Sequence, residues 1–494
     1  MQQDMLVKST ITGVETTHDG GIMDIIAKVK NWFNSFTKRK AKDEFNVETV
    51  TSKEMDSYIV KCANIYRGMP YWVNEDSGLK TINFAKTICS ETARLTTLGA
   101  KVSITGSARA EWLQSQIDKL FKSKRLRHWI EYGLAFGTIV MKPNDKGVDI
   151  LTPADFIVTS EENGTANGFV FINRAVSDDG KEFYTRLEYH RFNETTGEYC
   201  ITNYCYKGKN ENDVGDMIDI SLTPWPELST EAGITGINAP LFGVFKTPQA
   251  NNVDIDSSLG LPIFSEALAE LEDLDIAYSR NSGEIYDSEK VILLDSDRLV
   301  PSGGKVGSTT NDFERKRTDM KLPHYVKNVY GDGAESFYQE INPQLNTETR
   351  INGINALLSQ IGYKCGYSNG YFVFNEKTGM ITATQVESDD RRTIGLIKDI
   401  RDGLEQTLNE LIYALNAFAD LYDLAPCGEY EVAYDFADIT YNVDEDRARW
   451  YSYVIAGKIP FWYFLTKFEG FTEEEAKELE KANATKEPKI LEEE

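Results

Sequence analysis

The stretch Gly303–Thr309, GGKVGST, brings glycines, a lysine and two hydroxyls close enough to suggest a phosphate cradle. A working cradle has the form GxxxxGK[ST], because the lysine must stand at a helix start beneath the phosphates. Here Lys305 precedes Gly307 and no apolar strand–loop–helix unit surrounds it, so the stretch reads as a loop. Asp435 and Asp438, in YDFAD, are spaced like a carboxylate pair for acid–base hydrolysis. With 78 Asp and Glu in 494 residues such pairs arise by chance, and they carry no assignment. His190 has Glu188 and Arg191 beside it but no nucleophile, so cross-strand pairing at the surface is the expectation. His128, next to Trp129, reads as packed or capping. In KTGMITATQVESDDRRTI (377–394) the threonines could hold a phosphate or a metal. Thr384 and Glu387, however, stand at capping-box spacing, which satisfies the first free N–H groups of a helix instead. No HExxH, GxSxG, EF-hand loop or GxGxxG occurs. The residues predict neither an enzyme nor a cofactor or metal site.

The elements that would position these residues belong to a folded chain. Of its 494 residues 41% are hydrophobic and 11% aromatic, enough for two to four domains with cores of their own. No apolar run is long enough to span a membrane, and the N-terminus lacks a signal-peptide pattern. Six scattered cysteines without a CxxC pair argue against a disulfide framework or a zinc site, and a reducing cytoplasmic setting is expected. The formal charge of −25 argues against gripping nucleic acid through the overall field, though not against letting a duplex pass.

Residues 22–36, IMDIIAKVKNWFNSF, set Ile22, Ile25, Ile26, Val29, Trp32, Phe33 and Phe36 on one helical face, with Lys38-Arg39-Lys40 following. This is either a helix docked on protein or one lying on a membrane surface. Residues 54–140 read as several helices. From Thr138 to Gly208, GFVFINRAV, EFYTRLEYHRF and GEYCITNYCYKG alternate as an antiparallel meander. Residues 209–258, broken by prolines, read mostly as loop. A helix then starts near Pro262 with Phe264, Leu268, Leu271, Leu274 and Tyr278 on one side. Its other side and its end carry Glu266, Glu270, Glu272, Asp273, Asp275, Glu284, Asp287 and Glu289. An insertion at 291–344 precedes a second helix, TETRINGINALLSQI, so the pair suggests a stalk with a knob at its end. After a hairpin turning at Gly379, apolar residues from Ile394 to Phe418 recur at three and four, about nine turns if the helix runs over 385–419. The C-terminal part breaks into short helices, one opened by a capping box at Thr472 and Glu475.

RLEYHRF with YCITNYCY, ANNVDIDSSLGLPIF, ELEDLDIAYS, SQIGYKCGYSNGYFVF, GMITATQVESDD and FADITYNVDEDRARW with IAGKIPFWYFLTKFEGFTEEEAKE occur in this order. In them the chain, from about residue 25 to 482, resembles the portal proteins of tailed double-stranded DNA bacteriophages, of the siphovirus type found in Gram-positive hosts. Gln385 departs from that pattern, where glutamate is commoner. The resemblance implies an α+β ring subunit with an α/β wing, a two-helix stem, a small α/β clip, a long spine helix and a helical crown. It implies a leader with an amphipathic helix over 1–45, the first part of the wing over 46–258 and stem helices over 259–290 and 345–361. The clip would occupy 291–344, a tunnel loop 362–384, the spine part of the wing 385–438, and the crown and tail 439–494. DNA in the channel would meet Lys364, Tyr367, Asn369, Tyr371, Asn375 and Lys377. Glu266, Glu270, Asp273 and Glu284 would make the stem acidic, and Thr384 with Glu387 would cap the spine helix. The implied partners are the chain itself in a ring of twelve, the terminase large subunit, the major capsid and scaffolding proteins and a head–tail adaptor. Double-stranded DNA would pass without sequence specificity, and no membrane is involved. The implied location is the portal vertex of the virion, with the host cytoplasm during assembly. A membrane-associated scaffold using the amphipathic N-terminal helix is the alternative.

Overall fold

The structure, a computed structural model, describes residues 35–74, 77–144, 147–162, 165–177, 180–210, 213–287, 291–295, 326–329, 338–341, 346–373, 391–436, 450–469 and 471–484. The chain is α+β and divides into two compact units, Met1–Thr97 with Val102–Tyr434, and Leu98–Lys101 with Asp435–Glu494.

The first unit is built on a large antiparallel sheet of β4 (Phe156–Glu162), β5 (Thr165–Val176), β6 (Phe183–Asn193) and β7 (Glu198–Gly208). Two short strands, β8 (Asp216–Ile218) and β9 (Glu231–Thr235), share the outer edge of β7. The meander follows from alternation of side chains along β5, β6 and β7. One face presents Val170, Ile172, Leu187, Tyr189 and Tyr206 to Ala41 and Phe45 of α1 (Ser35–Phe45). The opposite face carries Phe169, Phe171, Glu188 and His190, and Phe242 packs on its aromatic rings. Both faces of the sheet are therefore covered.

A second, three-stranded sheet orders β10 (Gly243–Lys246), β2 (Thr138–Asn144) and β3 (Gly147–Leu151), all antiparallel. β10 was hidden in the sequence because it has four residues between the prolines at 240 and 248. Two strands at the limits of the expected regions, β1 (Lys101–Gly106) and β14 (Tyr430–Asp435), pair with each other. Helices α2 (Lys53–Tyr66), α3 (Phe84–Thr96), α4 (Ala108–Phe121) and α5 (Arg125–Phe136) form the expected helical region. Ser52 caps α2 by accepting the Met55 N–H at 3.2 Å. His128 is exposed on α5 rather than packed.

The long helix, α8, is described over Arg391–Leu421 and buries Ile397, Ile400, Leu404, Leu408, Leu411 and Leu415, one stripe at helical spacing. It rests on β10 so closely that a Cβ on Gly243 would lie 2.4 Å from the Thr407 carbonyl oxygen. Two buried arginines fix its flanks. Arg401 donates to the carbonyls of Leu95 and Thr96, which end α3. Arg109 of α4 donates to Asn416 and Asp420 of α8 and to the Ala425 and Pro426 carbonyls beyond it.

Between these layers the chain makes an excursion. A 3₁₀ turn at Ser265–Ala267 leads into α6 (Leu268–Asp287). A small sheet follows, in which β11 (Val291–Asp295) pairs parallel with β12 (Val326–Val329) and antiparallel with β13 (Tyr338–Ile341). The chain returns through α7 (Thr347–Lys364), which packs along α6. The glycine-rich stretch 303–309, the Gly379 turn, Thr384 and Glu387 lie outside the described residues.

Among its described residues the second unit has a short helix over 450–455, then α9 (Phe461–Phe468) and α10 (Glu473–Ala484). Trp450 stacks on Tyr463 with the Lys467 ammonium 3.7 Å from its ring. The capping box forms as spaced: the Thr472 hydroxyl accepts the Glu475 N–H at 3.4 Å and Glu475 accepts the Thr472 N–H at 3.0 Å.

Candidate functional site

The residues that could do chemistry fall in two places, a buried ionic cluster in the large sheet and the α6–α7 stalk with the turn after it. In the cluster Arg186, Glu188 and His190 follow one another on one face of β6, and Lys142 reaches them from β2. The Glu188 carboxylate takes the Lys142 ammonium at 2.5 Å, Arg186 at 3.1 Å, Asn173 at 3.0 Å and His190 Nε2 at 2.9 Å. His190 Nδ1 lies 2.6 Å from the Tyr199 hydroxyl. Burial works to raise the Glu188 pKa, but the charges of Lys142, Arg186 and His190 outweigh it and hold the carboxyl well below its usual range. Burial pushes the His190 pKa down against the pull of Glu188, which leaves a neutral ring donating from Nε2 and accepting at Nδ1.

The expectation of a surface His190 is thus corrected: it is 3% exposed, because the second sheet covers what alternation alone reads as a solvent face. Lys142, Arg186, Glu188 and Tyr199 are buried as well, so no substrate reaches the cluster. Two Arg186 nitrogens, Nε and Nη1, have no hydrogen-bond partner, and the guanidinium lies 5.1 Å from the Trp225 ring centroid. The arrangement orders two sheets against each other; as a catalytic centre it lacks an approach.

At the stalk the structure separates the candidates by environment. Lys364 is on α7 and not in a loop, since that helix runs three residues past the expected end at 361. Its ammonium meets Glu270 at 2.5 Å and the Glu266 carbonyl at 3.1 Å, which sets the end of α7 beside the start of α6. Glu270 is therefore ion-paired, not a free acid. Glu266 and Asp273 are exposed, and the Glu284 side chain lies outside the described residues. Asp275, on the same helix, is buried: it accepts the Trp72 Nε1–H and the Ile82 N–H, each at 2.9 Å, and ties α6 to the core.

The turn after α7 corrects the sequence expectation further. Tyr367 is fully buried, its hydroxyl 2.6 Å from that of Thr92 and its ring against Tyr371 and Phe372. Its ring is enclosed within this chain, so the expectation of a DNA-facing Tyr367 does not fit its burial. Tyr371 is half-buried and donates to Glu91 at 2.6 Å. Asn369 is exposed. Asn375 and Lys377 lie outside the described residues. Ser368 and Thr393 pair reciprocally, the Ser368 N–H donating to the Thr393 hydroxyl at 2.9 Å and the Thr393 N–H to the Ser368 hydroxyl at 3.3 Å. Arg392 donates to the Tyr363 carbonyl at 2.9 Å, so the chain on either side of 374–390 is held at one base.

Among the described residues no group of His, Cys, Asp and Glu could hold a metal, and no helix is long and apolar enough to cross a membrane. No family model and no curated protein matches the chain. Among solved structures, the virion of a native gene transfer agent particle matches at a TM-score of 0.37 and 12% identity, over 83% of this chain and 93% of that one. A likeness at that level does not establish a common fold.

Proposed function

We propose that this chain is a portal subunit, a conduit element of a virion rather than a catalyst. The observation that carries the reading is the stalk. α6 leaves the core with Leu271 and Leu274 buried, the chain passes through a small sheet, and α7 returns with Leu358 and Ile361 buried. Beside and beyond that base the pair leaves apolar groups partly open: Ile276 and Ile351 are only partly buried and Tyr278 is 36% exposed. Apolar surface of this kind on a two-helix stalk fits head-to-tail contacts that close into a ring.

In that ring α6 and α7 form the stem and β11–β13 belong to the clip. α8 is the spine, and the helices after residue 450 belong to the crown. Charge suits passage: a ring of twelve chains at −25 carries about −300 before counterions. Exposed Glu266 and Asp273 on the stem would repel a duplex and keep it from adhering. The terminase large subunit would dock on the ring during packaging and supply the ATP chemistry. The capsid and scaffolding proteins would surround the ring, and an adaptor would follow the terminase.

Negative-stain microscopy of the purified full chain tests this. Rings with an axial hole are the expected result. A compact monomer that stays monomeric at high concentration, and in the presence of its capsid and scaffolding proteins, overturns it.

A further inference from the structure

Asparagine stands directly before glycine at 163–164, 167–168, 352–353 and 369–370. Such a pair can react with itself: the glycine amide nitrogen attacks the carbonyl carbon of the asparagine side chain. Glycine, having no Cβ, hinders that attack least. The attack needs a nitrogen free of a hydrogen bond and a main chain that can bend, and a strand ladder or a helix denies both.

The structure sorts the pairs. Asn167 is 7% exposed on β5, where its side-chain carbonyl accepts the Ser160 hydroxyl at 2.8 Å. Gly168 stands in register between Ser160 of β4 and Arg191 of β6, and a Cβ on it would lie 2.2 Å from the Ser160 Oγ. Asn352 is exposed but lies within α7, whose ladder engages the Gly353 N–H. Asn163 and Gly164 lie outside the described residues.

Asn369 differs on each count. It is exposed in the turn Ser368–Tyr371, which the Tyr371 N–H closes on the Ser368 carbonyl at 3.2 Å. Gly370 has φ +77°, as the third residue of a type II turn requires, and a Cβ on it would meet nothing within 4 Å. Among the described residues the Gly370 N–H has no acceptor and the Asn369 side chain no partner.

We propose that Asn369–Gly370 is a self-modification site at the base from which residues 374–390 leave. A bond forms between the Gly370 nitrogen and Asn369 Cγ, and the Cγ–Nδ2 bond breaks. The amide nitrogen leaves as ammonia, with the proton that Gly370 gives up. Water then opens the cyclic imide, at Cγ to leave aspartate or at the main-chain carbonyl to leave isoaspartate. Either product puts a new carboxylate in the turn, where Tyr371 already donates to the Glu91 carboxylate at 2.6 Å. Isoaspartate also lengthens the main chain by a methylene next to Ser368, the partner of Thr393. The product therefore loosens the turn that closes this base. The reaction is internal to one chain and does not depend on the portal reading.

The test ages the full folded chain in mildly alkaline buffer and follows its peptides by mass spectrometry. The peptide with Asn369 should gain about one mass unit, as isoaspartate and aspartate, several-fold faster than those with Asn167 or Asn352. In urea the three rates should converge, because the fold no longer sorts the pairs. Equal rates in the folded chain, or a faster Asn167 or Asn352, overturn the proposal. Asn369→Gln, whose longer side chain closes the ring poorly, should abolish the change in that peptide alone. A change that persists there belongs to another residue and overturns the assignment. Hydrogen exchange at 366–373 should be faster in the aged chain, separated by anion exchange, than in the fresh one; equal exchange overturns the loosening.

Discussion

The hydroxyls of Ser368 and Thr393, 25 residues apart in sequence, meet at 3.1 Å while each also accepts the other residue's N–H. Both side chains are buried, so the pair closes the base from which residues 374–390 leave and to which they return. Thr393→Val keeps the shape but leaves the Ser368 N–H without its acceptor. The expected cost is about 1–3 kcal/mol, the penalty of an orphaned buried donor. Chemical denaturation should report it, with faster amide exchange at 366–373. An unchanged midpoint and unchanged exchange would show that the pair holds nothing.

Arg109 is 1% exposed and serves five oxygen acceptors between Asn416 and Pro426. It joins α4 to the end of α8 and to the chain that continues into β14. Arg109→Lys keeps the charge but has no planar fork, so it can reach only part of that set. We expect a loss of about 2–4 kcal/mol for Arg109→Met and little recovery with lysine. Urea melts of the three proteins decide it; full recovery with lysine would mean that charge alone matters there.

How much of this was legible in the sequence depends on the range of the interactions involved. The α8 stripe and the alternation of β5 to β7 are local periodicities and could be read directly. His190 could not be placed, because Arg186, Glu188 and His190 look like a solvent face until a second sheet, with Lys142 on it, covers them. β10 is too short to show a period. Asp275 is indistinguishable from its acidic neighbours until Trp72 and the Ile82 N–H are seen to claim it. Tyr367 was misread for a related reason: an aromatic residue in a turn suits a channel or a core equally, and only Thr92, far away in sequence, decides.

The Glu188 cluster should make stability fall on acidification. Its carboxyl is held well below the usual range when folded, so the stability it gives is present above the unfolded value of about 4.3 and is lost as pH falls below it. His190 is kept neutral when folded while the unfolded imidazole takes a proton from about pH 6.5 downward, so it too removes stability as pH falls. The melting temperature should be level between about pH 7 and 8, decline from about 6.5 and drop steeply below about 4.5. His190→Gln, which cannot titrate, should remove the decline between about 6.5 and 5 and leave the lower one. If that variant retains the upper decline, the protons involved belong to other groups.

The stalk gives the prediction that separates folding from assembly. Leu274 and Ile276 sit two residues apart on α6, yet Leu274 is fully buried against the core and Ile276 is half-exposed. An aspartate at Leu274 would place an unpaired charge in the core and should prevent folding. At partly exposed Ile276 the charge can reach water, so the single chain should lose only about 1–2 kcal/mol, mostly the apolar burial given up. In a ring, however, that position would face a neighbour's helix, where an unpaired charge is desolvated by association. Ile276→Asp is therefore expected to fold and melt only a few degrees below wild type but to run as a monomer on size exclusion with light scattering, where the portal reading expects wild type to assemble. Normal assembly of Ile276→Asp would remove this part of the stalk from the subunit contact, and a collapsed melting curve would show that the helix pair depends on Ile276 within one chain.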